Sequence, residues 1–343
     1  MTAVDAAVQD VRLALHSRRR RSVLTAALLG ALAGALSIVA LALGDLGLTI
    51  GEVVVALTGQ GGFDSTVVLE WRLPRVVAAL LFGAALGVAG ALFQTITRNP
   101  LGSPDIIGFA TGSYTGVIFA TVVLGLGAAA STTGALLGGA ATAVVVYLLA
   151  YRRGVQGFRL IVVGVGVTAM LHGVNIWLLL RAKAEVAMTA AMWGAGSLSL
   201  AAWRDVLPGA IALAVAAPLV ILAAHTLRQL ELGDETAASH GVRVEPARLG
   251  ILGLGVVLTA LVTATTGPIA FVALSAPQIA RRIAGSGGIP LLHSALTGGF
   301  LLLGADMLAQ HVPASPVPVG VVTVVLGGVY LVALLVGEAR RGR

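Results

Sequence analysis

From Ile106 to Tyr151 the chain runs 46 residues without one charged side chain. Seven further uncharged runs, at 22–44, 76–97, 160–180, 206–227, 249–280, 283–305 and 307–337, are each at least 21 residues long. A transmembrane helix needs about 20 apolar residues, and a charge at its centre costs roughly 2.5–3.5 kcal/mol. Charges therefore mark boundaries, and the sequence reads as an integral membrane protein.

Composition agrees. Apolar residues make up 57% and charged residues 11%, against a usual ~25% charged, too few to cover a soluble surface. There are no cysteines, which excludes disulfide scaffolds, Cys-ligated metal centres and thiol nucleophiles. The only lysine, Lys183, sits between two alanines, so no Gly-Lys-Ser/Thr phosphate loop exists. The net charge of +7 is too dispersed to form a nucleic-acid surface.

The 46-residue run must be a hairpin, turning between Gly125 and Gly134. The run at 249–280 breaks at Gly267-Pro268, and the last run opens with a proline-rich stretch from Pro313 to Pro318 before becoming helical. Ten helices result. Val186–Trp203, also uncharged, is an eleventh helix candidate, but it is rich in Gly, Ser, Thr and Trp. The positive-inside rule arbitrates. With ten spans and a cytoplasmic N-terminus, 17 basic residues lie inside, and only Arg72, Arg75, Arg181, Lys183 and Arg204 lie outside. An extra span would give 10 inside and 12 outside. The expectation is an all-α polytopic protein: a cytoplasmic tail 1–21, one ten-helix domain 22–337 and a cytoplasmic tail 338–343. Arg18–Arg21 could open a signal peptide, but the apolar run behind them is 23 residues, beyond the 7–15 of a signal core. It reads as an uncleaved first helix.

Gly83-x-x-x-Gly87 and Gly90 place a small-residue stripe on the second span, where another backbone approaches closely. Helix packing is the preferred reading over a substrate role. Gly164-x-Gly166-x-x-Ala169 imitates a dinucleotide fingerprint but lies inside a span with no preceding strand, and is discarded. The six histidines show no HExxH or other ligand spacing, no serine sits in G-x-S-x-G, and Asp306 has no carboxylate partner nearby. No catalytic set is expected. Ion-coupled carriers place ionisable groups at mid-membrane, and these spans lack them. If the chain transports, a partner supplies the energy.

Four stretches, taken together, carry a resemblance. They are Arg72-Leu-Pro-Arg75 with Gly83–Gln94; Thr97-Arg-Asn-Pro-Leu101 with Pro104-Asp-Ile-Ile-Gly108; Leu232–Val242; and Gly267-Pro-Ile-Ala-Phe271 with Ala276-Pro-Gln278, Ala305-Asp306 and Pro318–Thr323. In this order they resemble the FecCD family, the membrane subunits of ATP-driven importers for ferric siderophores, haem and vitamin B12. The resemblance implies a type II ABC importer permease fold: a dimer of ten-helix subunits with two ATPase subunits below and a substrate-binding protein above.

It also implies roles. Arg72 and Arg75 match arginines that pair with carboxylates on the binding protein; the alternative is a pair of interfacial anchors. An Arg often follows Ala-Asp in the family, but here Asp306 is followed by Met-Leu-Ala-Gln310, so docking would lean more on Arg72 and Arg75, or on a different second subunit. Asp306 and Gln310 are the other two members of the candidate docking set. Leu232, Gly233, Asp234, Glu235, Thr236, Ala237, Ala238, Ser239, His240, Gly241 and Val242, within the charged loop 228–248, match the coupling helix seated on the ATPase. Asp234 and Glu235 would favour its N-terminus; the alternative is a solvated connector. Asn99, Pro100 and Leu101 match the inner gate, with a second constriction at Gly157-Phe158; the alternative is a fixed turn between helices. Thr168, His172 and Asn175 on the fifth span are candidate pathway residues. Gln278 replaces a common His, as in the ferric-enterobactin-type subset, often built from two different permeases.

The expected function is therefore a permease subunit importing a ferric siderophore by alternating access across a bacterial cytoplasmic membrane, both termini inside. No cofactor is expected in this chain, since ATP and Mg would bind the ATPase. Expected partners are ABC ATPase subunits, an extracytoplasmic siderophore-binding (lipo)protein, membrane lipids and a second permease chain, more readily a different one than a copy. A vitamin B12 or haem permease is the near rival, and a non-transport membrane scaffold the rival from another class.

Overall fold

A computed structural model describes residues 3–105, 107–127, 129–151, 157–286 and 288–341. Ile106, Arg152, Arg153 and the terminal residues 1–2 and 342–343, all used in the sequence reading, lie outside the described residues. The described secondary structure is helical: α1 Ala3–Ala42, α2 Ile50–Leu57, α3 Phe63–Thr66, α4 Leu73–Thr97, α5 Phe109–Ile118, α6 Ala129–Ala150, α7 Gly157–Arg181, α8 Ala184–Gly194, α9 Trp203–Glu231, α10 Asp234–Ser239, α11 Val244–Thr266, α12 Val272–Ala284, α13 Leu291–His311 and α14 Val319–Arg341. Among the described residues seven helical stretches are long and apolar enough to cross a membrane, and Phe109–Val123 and Val319–Ala333 are shorter apolar helices.

Several boundaries differ from those expected. Helix α1 is continuous from Ala3, so the backbone does not break where the tail was expected to meet the first span. Charges do not stop the helices at Arg72, Arg75 or Asp306. Helical backbone runs from Phe63 to Thr97, and α13 spans Leu291–His311 rather than 283–305. The physical reason is pairing: each of these charges has partners within the protein, as described below, so it need not sit at a headgroup. Helix α8 has 11 residues, about 16 Å at 1.5 Å per residue.

Proline explains the entry to α4. Pro74 has no N–H to donate, and the turn before it, Val67–Arg72, is a π-helix in which the Leu73 N–H reaches Val68 O. The Leu69 carbonyl instead receives the Trp203 indole N–H at 2.8 Å, which fastens the start of α9 to this turn. Beyond it α4 is the buried centre of the fold, with Phe82, Leu86, Leu92 and Phe93 almost wholly enclosed, packed against α13, α11, α12 and α9. Its glycine stripe makes this possible. A Cβ on Gly83 would overlap the carbonyl of Gly298, one on Gly87 that of Ser294, and one on Gly90 that of Ala273. The small residues are thus used for helix packing against α13 and the start of α12. Gly112 and Gly116 do the same for α5 against Gly138 and Gly134 of α6.

Candidate functional site

Helix α4 has 25 residues, about 37 Å, and the docking, gate and coupling candidates gather at its two ends. At the N-terminal end Arg75 Nε and Nη2 donate to Asp306 Oδ2 and Oδ1, both at 2.8 Å. Gln310 Nε2 donates to the same Oδ2 at 2.7 Å. Three of the four candidate docking residues therefore hydrogen-bond one another. The fourth, Arg72, donates to Leu41 O at 2.7 Å and Ala42 O at 3.1 Å, at the C-terminal end of α1, and to Leu46 O at 2.6 Å in the loop after it.

At the other end Arg98 follows α4 in the left-handed conformation, φ 49°. Asn99 Oδ1 accepts the Leu101 N–H at 2.8 Å, a turn that fixes the Asn99-Pro100-Leu101 backbone. Gly157 packs directly on Thr97: a Cβ there would overlap the Thr97 carbonyl. The two expected constrictions are thus adjacent, with Phe158 78% exposed and Leu101 43% exposed. Buried Gln94 donates to Leu274 O at 2.9 Å and accepts from Gln278 Nε2 at 2.5 Å, joining α4 to α12 beside this turn. A cavity of about 420 Å³ opens here, bordered by Arg98, Asn99, Pro100, Leu232, Gln278 and Arg281.

Helix α10 lies at this same end. Gly233 at φ 116° and Gly241 at φ 83° bracket it, supplying backbone conformations that glycine adopts without strain. Ala237 is buried, while Leu232, Glu235, Ala238, Ser239, His240 and Gly241 are exposed. His240 Nδ1 and Gln229 Oε1 lie 2.5 Å apart, and Ser239 Oγ donates to Thr236 O at 2.8 Å. Val242 N–H returns to Ala237 O. No side chain caps α10; the Asp234 carboxylate turns instead to Arg98 and Arg248.

Thr168 and His172 border a mainly apolar cavity of about 580 Å³ with Ser103, Asp105 and Phe271. Asn175 is buried. Among the described residues neither of its amide atoms has a hydrogen-bond partner, and the same holds for Thr168 Oγ1 and Asp105 Oδ2. Asp105 keeps some surface toward the cavity while Oδ2 is fully enclosed. Burial pushes its carboxyl up to about 7, opposed by a hydrogen bond from the Phe271 backbone. Phe271 itself has φ 68°, a strained conformation for a bulky residue. The folded value of Asp105 lies above its ordinary 3.8. Burial therefore costs nothing below that pH, and the cost grows up to about pH 7. Asp105→Asn is expected to raise the Tm in detergent by several degrees at pH 8 and to leave it nearly unchanged at pH 4; equal gains at both values would show that the carboxyl is not the cause.

The sequence reading missed Gln94, Asp105 as a buried acid, and the Arg98 and Arg248 partners of Asp234. It missed α2 as well, although Thr49-x-x-Glu52 is a visible capping-box signal; here Thr49 N–H donates to Glu52 Oε2 at 2.7 Å and Glu52 N–H to Thr49 Oγ1 at 3.3 Å.

Residues 32–337 match the profile of the FecCD transport family. The chain is 48% identical over 327 residues to the ferric enterobactin transport system permease protein FepG of Escherichia coli (strain K12), covering 94% of this chain and 98% of that protein. It is 38% identical over 291 residues to the iron(3+)-hydroxamate import system permease protein FhuG of Bacillus subtilis (strain 168), covering 81% and 86%. A metal-chelate type ABC transporter solved in an inward-facing conformation shares the fold, with a TM-score of 0.79 at 24% identity over 92% of this chain and 99% of that one.

Proposed function

We propose, for a chain that belongs to the FecCD transport family, that it is the permease subunit of an ABC importer moving a ferric siderophore into the cytoplasm. The observation that carries the substrate class is the 48% identity, over nearly the full length of both chains, to a ferric enterobactin permease. Iron is cargo in this reading, and ATP and Mg belong to the ATPase partner. The helices cross a bacterial cytoplasmic membrane ten times with both termini inside: α1, α4, α5, α6, α7, α9, α11, α12, α13 and α14. The distribution of arginines supports this count.

In this arrangement the N-terminal end of α4 faces outward. Arg72, Arg75, Asp306 and Gln310 order the surface on which a binding protein docks, with the Arg75–Asp306 pair holding α4 and α13 in register beneath it. Leu232 to Val242 seats on the ATPase through the exposed face of α10. Asn99, Pro100, Leu101 and Phe158 form the inner gate, and Thr168, His172 and Asn175, whose polar atoms are partly unpartnered, face the path of the chelate. A second, non-identical permease completes the pathway. The test is reconstitution into liposomes with the ATPase and binding protein that co-purify with it. ATP-dependent accumulation of radioiron-labelled ferric enterobactin is the expected result. Accumulation of vitamin B12 or haem instead would overturn the substrate, and absence of any ATPase from the native complex would overturn the importer.

A further inference from the structure

We propose that Arg98 and Arg248, joined through the carboxylate of Asp234, form a rigid link that carries movement of α10 to the inner gate. The link rests on the reading of α10 as the ATPase-docking helix, and adds two positioning residues to it. Asp234 is the first residue of α10. On one side Arg98 Nη2 donates to its Oδ1 at 2.7 Å and to Leu230 O at 3.3 Å. On the other, Arg248 Nη2 donates to Oδ1 at 3.0 Å and to Oδ2 at 2.9 Å, while Arg248 Nη1 donates to Glu245 Oε1 at 2.9 Å. One carboxylate therefore clamps the end of α4 to the start of α11 at the root of α10.

Three features favour transmission over simple stabilisation. Asp234 and Arg98 are about half exposed, 45% and 52%, and an ion pair of that exposure adds little to stability. Arg98 occupies a left-handed position, φ 49°, where Gly or Asn terminates a helix at less cost; its guanidinium, not its backbone preference, explains the residue. The next residue is Asn99, the first of the gate turn, and Gly157 of the second constriction rests on Thr97. A displacement of α10 relayed through Arg98 thus reaches both constrictions within one residue of their backbones. The buried guanidinium of Arg248, 10% exposed, gives the carboxylate a fixed anchor on α11.

The experiment measures ATP hydrolysis and radioiron-labelled ferric enterobactin uptake in the same proteoliposomes of the complete importer, comparing the native chain, Arg98→Gln and Arg98→Lys. For Arg98→Gln the ATPase is expected to co-purify normally and hydrolyse within about twofold of native, while uptake per ATP falls about fivefold or more. Arg98→Lys, which keeps the charge, is expected to recover at least half of the loss. Uptake per ATP unchanged in Arg98→Gln would overturn the link, as would hydrolysis and uptake falling in proportion, the sign of weakened docking. A native chain that binds no ATPase would instead overturn the underlying reading of α10, and the link with it.

Discussion

Arg75→Ala is expected to destabilise the folded chain by about 3–5 kcal/mol, because it strands the Asp306 carboxylate inside the protein. The Asp306 side chain is 3% exposed and that of Arg75 17%. The remaining bond from Gln310 is neutral and cannot replace a bidentate guanidinium. Asp306→Ala should be similarly damaging, since it leaves the arginine buried without its anion. The double variant Arg75→Ala/Asp306→Ala removes both desolvation costs and is expected to be more stable than either single variant. Thermal unfolding of all four proteins in one detergent gives the coupling energy. Losses that simply add would mean that the pair does not act as a unit. The same experiment separates two roles at this end of α4: a fully folded double variant that no longer binds its extracytoplasmic partner would assign the charges to docking as well as to packing.

Gly90→Ala is expected to cost about 4 kcal/mol or more, an exceptional value for one methyl group. The added carbon would overlap the Ala273 carbonyl, so α4 and the beginning of α12 must separate where Gln94 bonds Leu274 O and Gln278. Neither backbone can yield cheaply in an interior packed at crystal-like density. Gly34→Ala in α1 is the control. Nothing lies within 4 Å of a Cβ there, and alanine's better helix propensity predicts a change between zero and about 1 kcal/mol in favour of folding. The fraction of each protein that remains monodisperse after heating is the measurement. Equal behaviour of the two variants would show that the close α4–α12 approach does not exist in the membrane.

These expectations differ in how legible they were. The stripe Gly83, Gly87, Gly90 was visible in the sequence as a surface for close approach, but its partners on α13 and α12 were not. The capping box at Thr49 was signalled locally by Thr49-x-x-Glu52, whereas the π turn before Pro74 was not. Arg75 and Asp306 were visible as isolated charges near apolar runs, and the boundary rule moved both of them to the membrane edge. That rule assumes a charge without a partner. The partner lies 231 residues away, and no local pattern identifies it.

By itself the sequence determined that the chain is a helical membrane protein, because uncharged runs of that length have no other low-energy use. Its motif order determined the family. It also marked the short helix α10, which Gly233 and Gly241 bracket in backbone conformations that glycine adopts without strain. Only the tertiary structure decided which charges face one another. Arg98 meets Asp234 across 136 residues and Arg248 meets it across 14, because α4 and α11 pack side by side and end at the root of α10. Helical periodicity and hydropathy are local and survive in a one-dimensional reading. The pairing of buried ions depends on which helices become neighbours, and that is settled only when glycine stripes and side-chain volumes select a single packing.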